Sequence, residues 1–365
     1  MSGGMLYRKY RPGDFSEVIG QEHVVQTLKN AVAKGMVAHA YLFAGPRGTG
    51  KTTLARILAK AVNCEKPKQG APCNECERCK AVASGRAMDV VEIDAASNRG
   101  IDEIRELRDG IRQVPSFLPY KVYIIDEAHQ LTKEAFNALL KMLEEPPAHA
   151  IFVLATTVAD KMPATILSRV QRFDFKKLSA EQILQKLTRI TKEEKRTADE
   201  AALRMVAHAA EGGLRDAESM LTQVFSFTHE KLTPAVVEQA LGIVGVARTA
   251  AFVDTLLERD MARVIVVLNE MYRMGASMEE FLKSLTNYAR AMMLLRLDAT
   301  LRQAAAPELT DEQFSVMVAQ CKKLKDGEAE SLMAALIEAH DMTKKTSIAT
   351  LPLELAILKY FQGVV

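Results

Sequence analysis

The chain has 365 residues, of which 48% are hydrophobic and 26% charged, with a formal net charge of +2. This excludes a disordered chain, provides for roughly two or three domains with cores of their own, and makes any nucleic-acid surface local rather than a matter of bulk charge. No run of about 18 apolar residues occurs, and Met1 to Tyr10 lacks an apolar signal core, so a cytoplasmic protein without membrane contact is expected.

Ala40-Tyr41-Leu42-Phe43-Ala44 reads as a buried strand, and Leu54, Ile57, Leu58, Ala61 and Val62 give Thr53 to Asn63 a helical period. Between them stands Gly45-Pro46-Arg47-Gly48-Thr49-Gly50-Lys51-Thr52, a complete G-x-x-x-x-G-K-T loop. Its glycines let backbone N–H groups curl around phosphate oxygens at a helix N-terminus, with Lys51 on the outer phosphates and the Thr52 hydroxyl on Mg²⁺. The flanking strand and helix argue against a mere glycine-rich connector, so a nucleoside triphosphate is the expected ligand.

Cys64, Cys73, Cys76 and Cys79 follow in a stretch of Pro, Lys, Gly and Asn that interrupts the helical pattern. Four thiolates closing so short a loop suit a structural, tetrahedral Zn²⁺ with no open position, the alternatives being free thiols or disulfides. Cys321 stands alone in a helical stretch and reads as a small buried hydrophobe.

Val90 to Ile93 is the next strand pattern, followed by Ser97-Asn98-Arg99-Gly100 and a helix striped by Ile101, Ile104, Leu107 and Ile111. Arg105, Arg108 and Arg112 share one face of that helix. Together with Arg99 they are candidates for sequence-tolerant contact with a DNA phosphate backbone. The competing reading pairs Asp102 and Asp109 with the arginines three residues on.

Lys121-Val122-Tyr123-Ile124-Ile125-Asp126-Glu127 is an apolar strand ending in two carboxylates. The pattern suits Mg²⁺ held through Asp126 and a water polarised by Glu127; an acidic helix N-cap is the plainer alternative. A further strand, Ile151 to Thr156, brings Thr157 to the position expected for a γ-phosphate and its attacking water. Ser168-Arg169 follows the turn Ala164 to Leu167, Phe173 to Phe175 gives the last strand signal, and Gly212-Gly213-Leu214-Arg215-Asp216 lies between helices. Arg169 and Arg215 are thus each available to phosphate charge.

Beyond residue 178 only helices are expected. Ser179-Ala180-Glu181-Gln182, Ser277-Met278-Glu279-Glu280 and Thr310-Asp311-Glu312-Gln313 look like capping boxes, and Thr233-Pro234 with Gly242 brackets another helix. Leu282, Leu285, Tyr288, Ala289 and Met292 recur at helical spacing and read as bundle core. The expected fold is an α/β P-loop domain with a parallel sheet over residues 1–178, its cysteine module at 64–79. A small helical domain at 179–242 and an all-α domain at 243–365, a plausible oligomerisation platform, complete it.

Taken in order, several segments resemble the AAA+ ATPases over essentially the whole chain. They are Leu6-Tyr7-Arg8-Lys9-Tyr10-Arg11-Pro12 with Phe15 and Val18-Ile19-Gly20-Gln21, the phosphate loop, the four cysteines, Asp126-Glu127, Ala155-Thr156-Thr157, Ser168-Arg169 and Leu214-Arg215-Asp216. Within that class they resemble the γ/τ family of the bacterial DNA polymerase III clamp loader. The resemblance implies an AAA+ domain, a helical lid and a collar. It places Arg11, Pro12, Val18 and Ile19 around adenine and ribose, Gly45 to Thr52 on the phosphates, and Thr53 and Leu214 in the same nucleotide-binding set. Thr157 would be a first sensor, Arg215 a second from the lid of the same subunit, and Arg169 an arginine finger on the ATP of a neighbouring subunit, so that hydrolysis requires assembly. Implied cofactors are ATP, Mg²⁺ and Zn²⁺; implied partners are δ- and δ′-type subunits, further copies of this chain, a sliding clamp and primed-template DNA. The family usually reads Ser-Arg-Cys where this chain has Ser168-Arg169-Val170; τ-type forms carry a long extension that engages polymerase and helicase, and a sequence ending at Val365 fits both a natural short form and a piece of such a longer protein.

The expected function is therefore an ATPase, not itself polymerising, that opens a sliding clamp and places it on primed DNA. A helicase is suggested by Asp126-Glu127-Ala128-His129 but would need a second α/β motor where residues 179–365 read as helices. Another AAA+ remodeller, such as a branch-migration ring, would not predict the cysteine module. A scaffold without turnover could have lost Lys51, Thr52, Asp126 or Glu127, and all four are present.

Overall fold

The computed structural model describes residues 5–98, 100, 107, 110–111, 113–306 and 309–363. They form two compact units, Met1–Lys195 with Val206–Thr222, and Arg196–Met205 with Gln223–Val365.

The first unit is built on a five-stranded parallel sheet of β1 (Ala40–Ala44), β2 (Val90–Asp94), β3 (Lys121–Asp126), β4 (Ala150–Thr156) and β5 (Gln171–Asp174), in the order β2-β3-β4-β1-β5. β1 and β4 are buried at every position, as continuous apolar runs in a parallel sheet covered on both faces should be. One face packs Leu54 and Leu58 of the Lys51–Val62 helix, with Val24 and Leu28 of the Glu22–Ala33 helix, on Tyr41, Phe43 and Val153. The other packs Phe136, Leu139 and Met142 of the Lys133–Glu144 helix on Leu42, Ile125 and Phe152. Register sets Ala44 beside Thr156 and Ile125 beside Leu154. The carboxyl ends of β1, β3 and β4 thus emerge along one edge, the edge at which open α/β sheets bind ligands.

The second unit is helical. Helices Val246–Leu257, Met278–Leu297, Glu328–Thr343 and Leu351–Gly363 contribute Phe252, Phe281, Leu285, Leu336 and Ile357 to one apolar core. Phe252 and Phe281 meet edge to face, with centroids 5.0 Å apart. Buried Gln320 accepts from Tyr288 Oη at 2.6 Å and donates to Ala250 O at 2.9 Å, which satisfies both ends of its amide. Among the described residues no single helix is long and apolar enough to cross a membrane.

The helix ends follow the expected signals with one exception. Ser179 and Gln182, and Thr310 and Gln313, form reciprocal capping boxes. Thr233 caps a helix with Pro234 at its first turn and Gly242 at φ +66° beyond its end. At Ser277 only half a box forms. Its Oγ accepts from Glu280 N–H at 3.3 Å, but its own N–H donates to Gly242 O at 2.8 Å and the Glu280 carboxylate pairs with Lys283 at 2.7 Å. Cys321 is half-buried, its Sγ 3.6 Å from Met292 O, and burial raises the thiol to about 11.

Candidate functional site

The phosphate loop leaves β1 under tight constraint. Gly45 N–H donates to Thr156 O at 3.1 Å, and Phe175 N–H donates to Ala44 O at 2.7 Å. A Cβ on Gly45 would lie 2.4 Å from Phe175 O, so only glycine fits there. The loop ends at Gly50, the N-cap of the Lys51–Val62 helix, whose first N–H groups have no partner within the helix and form an anion site.

Lys51 is 6% exposed and donates to Gly45 O and Pro46 O, each at 2.7 Å. An ammonium carries three donors, so one is left for a ligand. Burial lowers the Lys51 pKa, and the charges of Glu127 and Asp126 oppose that shift. Thr52 Oγ1 donates to Asp126 Oδ2 at 2.7 Å, and Asp126 Oδ1 accepts from Glu127 N–H at 3.0 Å. Hard oxygens brought together in this way, a hydroxyl and a carboxylate, fit Mg²⁺.

Glu127 takes φ +46°, a left-handed conformation that costs a non-glycine residue about 1–2 kcal/mol. Such strain is held where the surroundings fix it, often at functional sites. Its Oε2 accepts from Thr157 Oγ1 at 2.8 Å and from Thr157 N–H at 3.4 Å. His129 Nδ1 stands 3.4 Å from the same oxygen and 3.0 Å from Thr156 Oγ1. Gly45, Arg47, Glu127, His129 and Thr157 line a cleft of about 770 Å³, within the usual size of ligand clefts.

Other expected residues are placed around this centre. Leu214 N–H donates to Gly48 O at 3.1 Å, while the Arg215 guanidinium lies 4.8 Å over the Tyr7 ring. Arg11, Pro12, Val18, Ile19 and Thr53 are half-buried. Fully buried Gln21 donates to Lys176 O at 2.8 Å and accepts from Lys176 N–H at 3.1 Å, tying the segment after Ile19 to the chain leaving β5. Arg169 is not brought to its own phosphate loop. Its partners are Thr165 O at 2.8 Å, Ser168 Oγ at 3.0 Å and Glu144 Oε1 at 2.8 Å. Arg99, Arg105, Arg108 and Arg112 lie outside the described residues.

Sequence patterns gave no role of their own to Tyr7, Glu144 or Thr156, although Tyr7 and Thr156 stand within segments that carry the resemblance; each is singled out by a contact made across the fold. His129 had a signal in the Asp126-Glu127-Ala128-His129 run, although that run pointed to a different class of ATPase.

The four cysteines converge. The Sγ atoms of Cys64, Cys73, Cys76 and Cys79 all lie within 4.8 Å of one another, with Cys73 and Cys79 at 3.9 Å. Tetrahedral zinc–thiolate geometry asks for about 3.8 Å between sulfurs. Cys73 N–H points to Cys64 Sγ and Cys76 N–H to Cys73 Sγ, each at 3.3 Å, and Cys79 N–H points to Cys76 Sγ at 3.4 Å. Those of Cys76 and Glu75 lower the Cys73 thiol to about 6, while burial raises Cys64 and Cys79. Soft ligands and donors aimed at sulfur fit a zinc ion.

Residues 20–179 match the family described as DNA polymerase III, delta subunit; residues 182–230 the clamp loader subunit ATPase lid domain; and residues 232–362 domain III of subunits gamma and tau. DNA polymerase III subunit tau of Bacillus subtilis is 42% identical over 99% of this chain and 64% of its own length. The tau subunit of Escherichia coli is 41% identical over 81% of this chain and 46% of its own length, so the chain spans about half to two thirds of these relatives. The gamma subunit of Buchnera aphidicola subsp. Acyrthosiphon pisum is 39% identical over 77% of this chain and 78% of its own length. A solved Thermotoga maritima RuvB Holliday junction branch migration motor aligns with TM-score 0.49 at 19% identity, over 71% of this chain and 85% of that one, too slight a likeness to carry an argument. Three consecutive domain matches and the identity shared with the gamma subunit along most of its length show that the chain belongs to the γ/τ family of DNA polymerase III subunits.

Proposed function

We propose that this chain is the ATP-hydrolysing motor subunit of a clamp loader, opening a sliding clamp and placing it on primed DNA. The observation that carries the reading is the meeting of Lys51, the Thr52–Asp126 pair and the Glu127–Thr157 pair at one edge of the sheet. Thr52 and Asp126 would hold Mg²⁺, which neutralises phosphate charge. Lys51 keeps one donor for the outer phosphates. Glu127, with Oε2 engaged by Thr157, has Oε1 to orient an attacking water and accept its proton. Arg11, Pro12, Val18 and Ile19 border the base; Gly45 to Thr53, Leu214 and Arg215 complete the nucleotide site. Arg169, bonded away from its own loop, acts on the nucleotide of a neighbouring copy.

In this reading residues 1–178 form the motor, 179–242 its lid and 243–365 a collar, and the four cysteines hold a structural zinc. The companions are δ- and δ′-type subunits and further copies of this chain, working in the cytoplasm without membrane contact.

The test is steady-state ATP hydrolysis by the chain with such companions, adding clamp, primed-template DNA or both. Strong synergy of clamp and primer junction, lost in Arg169→Ala, is expected, with Glu127→Gln binding ATP but not turning it over. Stimulation by unprimed strands without clamp would favour a translocase instead, and a parent assembly without turnover would favour a scaffold.

A further inference from the structure

Arg169 follows the short helix Ala164–Leu167, and its guanidinium reaches the last residue of the Lys133–Glu144 helix. Nη1 is bonded to Thr165 O and Ser168 Oγ, and Nη2 to Glu144 Oε1. A free arginine side chain would lose about 2 kcal/mol of rotamer entropy on being ordered. Here three bonds to two rigid elements have already ordered it. A guanidinium carries five N–H donors, so two remain for an anion and the carboxylate need not let go when one arrives.

The pair lies at the surface, with side-chain exposures of 34% for Arg169 and 50% for Glu144. Ion pairs so exposed add little to stability. What remains for this pair is orientation.

We propose that Glu144 is a positioning residue for Arg169, holding the guanidinium so that a phosphate on the neighbouring subunit meets a fixed pair of donors. The inference rests on Arg169 acting in trans. Pre-organised charge of this kind acts on the transition state and leaves ground-state nucleotide binding alone.

The test compares Glu144→Ala, Glu144→Gln, Arg169→Ala and the double variant in the clamp-loader assembly with clamp and primed DNA. Glu144→Ala should lower kcat on the order of tenfold or more, with KM for ATP and the melting temperature unchanged. Glu144→Gln, which keeps an acceptor for Nη2, should recover part of the loss. The double variant should be no slower than Arg169→Ala, because Glu144 acts only through that residue. Parent-like turnover in Glu144→Ala beside a slow Arg169→Ala would overturn the inference, as would additive losses, which mark a merely structural role. If Arg169→Ala itself turns over normally, the trans reading fails, and this inference fails with it.

Discussion

A single methyl group separates the two demands made on the phosphate loop. Gly45 and Gly50 both have left-handed φ, at +150° and +97°, so alanine at either costs about 1–2 kcal/mol in backbone strain. Their surroundings differ. A Cβ at Gly45 would stand 2.4 Å from Phe175 O and 2.8 Å from Phe175 Cβ, whereas one at Gly50 would meet nothing within 4 Å. Phe175 cannot give way cheaply, because its N–H is bonded to Ala44 O and its ring packs 5.2 Å from that of Phe43. Overpacking adds about 1–3 kcal/mol, so Gly45→Ala should cost about 2–5 kcal/mol and Gly50→Ala about 1–2. Affinity should respond most at Gly50, whose methyl enters the open space before the helix N-terminus where phosphate is proposed to sit; a loss of about tenfold corresponds to ~1.4 kcal/mol. Both costs fall on β1 and the loop that leaves it, so a local readout serves best. Stability is therefore read from hydrogen exchange of the Tyr41–Ala44 amides, and affinity from titration with a fluorescent ATP analogue. If Gly50→Ala exposed those amides as much as Gly45→Ala, the Phe175 contact would not be the reason for glycine at 45.

Gln21→Ala should cost about 2–4 kcal/mol, since Lys176 loses a partner for both its N–H and its C=O; faster exchange across residues 173–178 would show it, and unchanged exchange would contradict it. Glu218 is 5% exposed with Oε1 unpartnered, and burial raises its pKa from 4.5 to about 7 against the opposing charge of Lys186. The folded state therefore holds that proton more tightly than the unfolded one, and stability falls as pH rises from about 4.5 through 7, by an upper limit of ~3 kcal/mol. Glu218→Gln should match the parent melting temperature at pH 5 and exceed it at pH 8; parallel pH profiles would refute this. Metal analysis of reduced protein should find one zinc per chain, lost in Cys79→Ser, and chelation should raise exchange in residues 64–85 while β1 stays protected. A content well below one zinc would remove the metal.

The parts of the fold that could be read beforehand are those where one local requirement dictates residue type. β1 and β4 are apolar at nearly every position because both faces of the sheet are covered. The phosphate loop and Asp126-Glu127 are legible because the chemistry allows few substitutes at each place. Ser277 shows where such reading stops. The Ser-x-x-Glu pattern is present, but Gly242 O takes the N–H that Glu280 would have accepted from, and that competitor is set by tertiary packing. The contacts of Arg169 with Glu144 and of Arg215 with Tyr7 are of the same kind. No spacing in the chain announces them. β5 runs over Gln171–Asp174 rather than 173–175; Phe175, one residue beyond it, still donates its N–H to Ala44 O at 2.7 Å.

The departure at Val170 can be weighed on the same grounds. Val170 packs against the apolar core that also holds Ile166, Leu139 and Phe136, while Arg169 beside it turns to the surface. Neighbouring positions thus have opposite duties. The inward one needs an apolar group of about the size of cysteine or valine, and the outward one, in the role proposed for Arg169, calls for a guanidinium, whose planar set of donors neither lysine nor a neutral residue supplies. A change from cysteine to valine at 170 therefore alters packing alone, and the features that orient Arg169, the Thr165 carbonyl, the Ser168 hydroxyl and the Glu144 carboxylate, are all still in place.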